Sequence, residues 1–359
     1  MRYLIDRSRL EEPPPREPYL QGVTASSATI AWVEDQNGIG RVEYGKTRHL
    51  GREQIDTNMG RRHAVALTDL EPASTYHYRV ENPGGASAGA VRFRTAPADD
   101  DSRFSFAVMG DSGDGGGAQL EVAGLVESLR PDLILHTGDV VYPRGAEKDY
   151  DRRFFGPYGA FITEVPLFPV LGNHDVQDGN GAAFLRNFYP PLCSPRSTKR
   201  FYSFDWGGAH FVALDSELYH DDRGATPEEQ KAFLERDLAA TLKRWRFVFL
   251  HRSPYGSSRH GPDEKIREDL GPLFARYGVD VVFSGHDHAY ERTVPIRGVT
   301  YVVSGGGGRR LYRAGKGKLT ACSKSAHHAV FVYVDASRLL LEATDPDRNV
   351  FDHWELVRA

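Results

Sequence analysis

FSFAVMGDSG, residues 104–113, decides how the rest of the chain reads. Phe104 to Met109 is an apolar run of strand length that stops at Gly110. Asp111 then stands at the carboxyl end of that strand, where open α/β sheets collect their ligands. Four later stretches have the same form: GDVVY (138–142), GNHD (172–175), FLHRSPY (249–255, with His251) and GHDH (285–288). Each follows a predicted strand: Asp132–His136, Leu167–Leu171, Arg246–Leu250 and Val279–Phe283. Neighbouring strand ends can bring distant residues within a few ångströms, so the five stretches are expected to converge.

Around them the chain alternates strands and helices. Helical spacing covers Gln119–Leu129, helical turns are expected in EKDYDRRFFGPYGAF, and Ile266–Tyr277 is a further helix. RFYSFDWGGAHFVALDS predicts a hairpin turning at Gly207-Gly208. Thr226-Pro227-Glu228-Glu229 starts a helix with a capping threonine, a proline in the first turn and a glutamate to close the capping box. That helix is expected to bury Leu234, Leu238 and Leu242. Strands near Val299–Val303, Ala329–Val334 and Leu339–Glu342 complete the fold.

Upstream of APADDDSR (96–103) the texture is different. Short alternating strands (ATIAWVE, GRVEYGKT, HAVALTDL, STYHYRVEN, GAVRFRT) are separated by turn signals at Asn37-Gly38, Glu71-Pro72 and Pro83-Gly84-Gly85. This spacing predicts an all-β sandwich. Trp32 and the stretch from Leu70 to Tyr78 resemble the core tryptophan and tyrosine corner of fibronectin type III domains. Residues 1–17, with EEPPPREP, are expected to form a tail or extended arm.

A net charge of −4 and 40% hydrophobic residues give no reason to expect nucleic acid or a membrane as partner. The first residues lack the apolar core of an export signal, so a cytoplasmic location is expected for the chain as it stands and an extracytoplasmic one if a leader was removed. Cys193 and Cys322 are expected to stay free. The runs 113–117 and 305–308 lack the lysine of a P-loop and suggest close backbone approach instead. His327 and His328 are expected at the surface.

The residue types at the strand ends favour metal ions. Asp111, Asp139 and Tyr142 offer anionic oxygens and His288 a nitrogen, a hard set suited to ferric iron. A phenol has a pKa of about 10, but a trivalent ion would keep it deprotonated. Asn173, His251 and His286, sharing Asp139, suit a divalent ion: zinc, manganese or ferrous iron. One shared carboxylate would hold the ions roughly 3.5–4 Å apart.

The five blocks, in this order, resemble those of the metallophosphoesterase superfamily, and more closely those of the purple acid phosphatases. GHDHAYER (285–292) and YSFDWGGAHFVALDS add to the likeness. Most of the superfamily has Asp-x-His in the first block; here the third residue is Gly113, and Tyr142 is placed to substitute. The resemblance implies a fibronectin type III-like sandwich over residues 18–97 and a calcineurin-like metallophosphoesterase domain over 98–359, a β-sheet sandwich flanked by helices. It also implies an acid phosphatase that hydrolyses small phosphate monoesters with metal-activated water, His174 and His260 acting on the substrate. Two departures stand out: Asp175 where plant relatives usually have glutamate, and a slightly short spacing from His251 to His260. The rival readings are a phosphodiesterase with two divalent ions and a non-catalytic binding protein.

Overall fold

The computed structural model describes residues 13–81, 89–100, 102–191, 198–221 and 223–358. The expected turn at Pro83-Gly84-Gly85 and Cys193 lie outside these residues. In the first module, β1 (Arg16–Gln21), β2 (Ala28–Gly45), β3 (Arg52–Leu67), β4 (Thr75–Glu81) and β5 (Val91–Arg94) form an antiparallel sheet in the order β1-β2-β4-β5, with β3 also paired to β2. Asn37-Gly38 does not end a strand. β2 runs through it for 18 residues because β3 pairs with both of its halves. The irregularity is absorbed as register shifts between Val33 and Gly40. Trp32 is buried, and the Tyr76 hydroxyl accepts the Glu71 amide at 3.0 Å, closing a corner of the expected kind.

β1 begins at Arg16, inside the stretch expected to be a tail, because its side chain is drawn into a buried polar cluster. Arg16 donates to Glu147 at 2.9 Å, Asp151 at 2.6 Å and Asn187 at 2.6 Å. Arg62 donates to the same Glu147 oxygen at 2.6 Å. The first module therefore grips the segment that follows Tyr142.

Among the described residues the second module holds two sheets and five α-helices. One sheet has the order β18 (Val350–Val357), β17 (Arg338–Thr344), β16 (Ala329–Val334), β6 (Phe104–Met109), β7 (Leu133–His136), β8 (Leu167–Pro169). The other runs β15 (Thr320–Lys324), β13 (Tyr290–Thr293), β14 (Thr300–Ser304), β12 (Val281–Ser284), β11 (Trp245–Phe249), β10 (Ala209–Ala213), β9 (Tyr202–Trp206). Side chains alternate along each strand, so every strand serves two layers. Phe106 points between the sheets and meets Phe211, Phe247 and Phe283 at ring distances of 5.3, 5.1 and 5.9 Å. Ala107 and Met109 point the other way, into a cluster with Val122 and Val126 of α1 (Gly117–Leu129) and Tyr158 of α2 (Gly156–Ile162). A short α3 (Ala182–Asn187) follows β8. On the opposite outer face, Val212, Val248 and Val282 pack with Leu234 and Leu238 of α4 (Pro227–Ala240) and Phe274 of α5 (Glu264–Arg276). This is the expected β-sheet sandwich flanked by helices.

The capping box of Thr226 and Glu229 forms as expected. Leu242 does not join the helix stripe: α4 stops at Ala240, and Leu242 is 95% exposed while Phe233 is buried. β13, β15 and β18 are additional strands whose short or charged sequences carry little alternation. No helix of the described residues is long and apolar enough to cross a membrane. Glu147→Ala is expected to lower unfolding stability by about 3 kcal/mol in denaturant titration, because it strips two guanidinium groups of a common buried partner. A loss below about 1 kcal/mol would show that the cluster is not holding the modules together.

Candidate metal centre

The strands deliver the five blocks to one edge of the sandwich. Asp111 follows β6, Asp139 follows β7, Asn173 and His174 follow β8, His251 follows β11, and His286 and His288 follow β12. Asp111, Asp139 and His286 have positive φ (56°, 52° and 69°), a left-handed backbone that costs a residue with a side chain on the order of 1 kcal/mol or more. Hydrogen bonds hold these turns. The Asp111 amide donates to Gly138 O at 3.0 Å, and the His286 amide donates to Asp111 Oδ2 at 2.9 Å. Asp175, fully buried, accepts the amides of Val140, Val141 and Gly172 at 3.0, 3.1 and 2.9 Å. It ties the second block to the third, and burial with the Asp139 charge nearby pushes its pKa up.

All seven expected ligand residues meet here. The Tyr142 hydroxyl lies 3.2 Å from Asp111 Oδ1 and 3.1 Å from His288 Nε2. Beside them, His251 Nε2 lies 3.0 Å from Asn173 Oδ1 and 3.5 Å from Asp139 Oδ1. One donor atom each from Asp111, Asp139 and His251 falls within 4.8 Å of the others. The His286 ring stands 5.0 Å from that of His251. Two imidazoles are aimed by backbone carbonyls: His251 Nδ1 donates to Thr137 O at 2.9 Å and His288 Nδ1 to Arg310 O at 2.8 Å. Each Nε2 is thereby turned into the site, that of His251 toward Asn173 and that of His288 toward Tyr142.

The electrostatics ask for positive charge. Asp111 and Asp139 are buried, and among the described residues their ion-pair partners are imidazoles, with no lysine or arginine. Burial works against a charged His251 or His288, yet the neighbouring carboxylates raise the pKa of both. Burial, followed by the Asp139 and Asp111 charges, holds the Tyr142 phenol well above its ordinary range. The oxygen-rich and nitrogen-rich donor sets fit two metal ions.

His174 stands outside the ligand ring. Its Nδ1 donates to Pro143 O at 2.6 Å, its ring lies 4.5 Å from that of Tyr142, and its side chain is one-third exposed. His260 is held by its amide on Asp287 Oδ1 at 2.9 Å, and its ring stacks 4.1 Å from that of His286. Partial burial and Arg259 lower its pKa. His328 is not at the surface: it is fully buried, bonded to Ser304 and Ala326 O, and burial lowers its pKa to about 4. Tyr312, unread in the sequence, stacks on His288 at 4.1 Å and 13°.

Residues 104–290 match the family model described as Calcineurin-like phosphoesterase. The chain belongs to this family. Family membership implies a dimetal centre. Purple acid phosphatase 15 of Arabidopsis thaliana is 30% identical over 290 residues, covering 69% of this chain and 54% of the relative. Purple acid phosphatase 23 of the same plant is 26% identical over 289 residues, covering 68% and 62%. The chain thus spans between half and two thirds of these relatives. A solved structure of the purple acid phosphatase PPD1 from yellow lupin seeds shares the fold, with a TM-score of 0.84 over 96% of this chain and 74% of that one at 23% identity.

Within this calcineurin-like phosphoesterase domain the bare Gly113 has a steric cause. A Cβ there would lie 1.8 Å from Val140 O and 2.8 Å from Val141 Cα. The second block packs directly over it, and the Tyr142 amide donates to Gly113 O at 2.8 Å. The absence of a side chain at 113 and the place taken by Tyr142 are one packing arrangement. Gly113→Ala is expected to cost about 2 kcal/mol or more of stability, measured by denaturant unfolding, and to lower metal content. Wild-type stability and metal content in that variant would contradict the close packing.

Proposed function

We propose that the protein is a binuclear-metal phosphatase of the purple acid type, acting on small phosphate monoesters. The observation that carries this reading is the Tyr142 hydroxyl within hydrogen-bond distance of both Asp111 and His288. A phenol there supports an iron site of Asp111, Asp139, Tyr142 and His288. Asp139, Asn173, His251 and His286 would hold a neighbouring zinc, manganese or ferrous ion. When bound, the ions would neutralise phosphoryl charge and activate water for in-line attack.

The chain's own groups do the rest. The buried floor of the site excludes bulk water from the phosphoryl oxygens. His174, fixed through Nδ1 by the Pro143 carbonyl, points Nε2 to the site and, as the imidazolium, would give a proton from it to a phosphate oxygen or the leaving group. His260, at the rim beside His286, is placed to help as a general acid. The first module, which β1 extends back to Arg16 from the expected boundary at residue 18, is read as a fibronectin type III-like support that steadies the Tyr142 segment through Arg16 and Arg62. The names of the curated relatives agree with this reading.

Metal analysis, a visible spectrum and turnover of an aryl phosphate test it together. Expected are one iron and one divalent ion per chain, hydrolysis faster at acidic pH than near pH 8, and a tyrosinate-to-iron band that Tyr142→Phe abolishes. Asp139→Asn should lose both metals. A colourless, active protein with two divalent ions would replace the iron assignment with a phosphodiesterase-type centre; a metal-replete protein without turnover would remove the phosphatase reading.

A further inference from the structure

The glycine run 305–308 carries Arg309 to the face of Tyr142. The Gly307 amide donates to Gly110 O at 2.9 Å, and a Cβ on Gly307 would lie 2.4 Å from that same oxygen. A Cβ on Gly308 would sit 2.9 Å from Ser112 O and 2.7 Å from Gln119 Cβ. Bare backbone therefore lies flush on the first block. The next amide, that of Arg309, donates to Asp111 O at 3.0 Å. The chain is thus pinned to the first block at the point where a long cationic side chain leaves it.

That side chain reaches Tyr142. The Arg309 guanidinium lies over the Tyr142 ring, 4.8 Å from its centroid. The phenol oxygen meets Asp111 Oδ1 at 3.2 Å and His288 Nε2 at 3.1 Å. Cation and candidate ligands therefore address different parts of one residue, the ring face and the oxygen. The Arg309 charge is only partly offset. Its ion-pair partner Asp114 stands 3.7 Å from Nη1, beyond hydrogen-bond distance, and Asp114 Oδ1 already accepts the Gly116 amide at 2.7 Å.

We propose that Arg309 is a positioning residue for the iron site that acts through Tyr142, its charge stabilising the negative phenol and so setting how readily the ring gives electron density to iron. The inference rests on the assignment of Tyr142 to iron and goes beyond it. An aromatic face attracts a guanidinium through its quadrupole, and a negative ring adds a direct Coulomb attraction. Iron would bond at the oxygen, while the guanidinium covers the ring. Charge transfer from ring to iron then moves an electron away from Arg309, so the cation raises the energy of that transition. The same charge favours ferrous over ferric iron, because reduction lowers the positive charge beside it. Arg309 is half-exposed, so both effects are modest and screened by salt.

Visible spectra and reductive titration of the metal-replete full chain, at low salt, read this without turnover. In Arg309→Gln the tyrosinate-to-iron band should move to longer wavelength, and at a fixed applied potential the ratio of ferrous to ferric iron should fall about threefold. Arg309→Lys keeps a cation without the planar fork and should stay closer to wild type on both readouts. Asp114→Asn removes the charge that offsets the guanidinium, keeps an acceptor for the Gly116 amide, and should move the band to shorter wavelength. Shifts of opposite sign in the two single variants follow charge and not packing. An unmoved band in Arg309→Gln, or Gln and Lys variants that shift alike, overturns the role of Arg309 and leaves the iron assignment standing; so does a band that moves to longer wavelength in Asp114→Asn. Iron bound by the wild-type protein with no such band removes the iron assignment, and this inference with it.

Discussion

Two carboxylates, Asp111 and Asp139, are sunk at 0% and 1% exposure, and among the described residues their ion-pair partners are imidazoles alone. Burying such charge is costly unless a counter-charge is present. Most of the local structure answers to that constraint. The backbone at both residues is left-handed, backbone amides donate to both carboxylates, and two imidazoles are turned inward by carbonyls behind them. A fold would not assemble these costs in one place for packing alone. The same residues become a low-energy set once cations sit among them.

The scaffold explains how seven residues spread over nearly 180 positions reach one point. The two sheets stack through phenylalanines of β6, β10, β11 and β12, so the ends of their parallel strands open at the same edge. Asp175 ties the second and third loops together. Gly113 lets the second loop descend far enough for Tyr142 to enter. From outside, Arg16 and Arg62 clasp Glu147 a few residues beyond Tyr142. The site is therefore braced from the core on one side and from the first module on the other.

Much of this was legible in the sequence, for a physical reason. Parallel strands buried on both faces are short apolar runs, and a polar block straight after such a run has to lie at the sheet edge. Asp111, Asp139, Asn173, His251 and GHDH all stood in that position. What stayed hidden depended on pairing across long distances. Asn37-Gly38 signalled a turn, but β3 bridges both halves of β2 and overrides it. Arg16 belongs to a charged, proline-rich stretch, and the partners that draw it into the fold, Glu147, Asp151 and Asn187, all lie 131 or more positions away. Leu242 kept helical spacing but lies past the end of α4. His328 sits among basic and small residues, with nothing local to show that it would be buried against Ser304, Tyr290 and Phe351. Tyr312 needed the fold to set it against His288.

The central claim is that the buried carboxylates exist to share two unlike metal ions. Anomalous diffraction from crystals of the metal-replete protein, recorded at the iron edge and at the edge of the divalent metal, tests it most directly. The account predicts two ions about 3.5–4 Å apart, bridged by Asp139, with iron bonded to Tyr142, Asp111 and His288. A single ion, a pair located elsewhere, or iron with the Tyr142 oxygen outside bonding distance would contradict it.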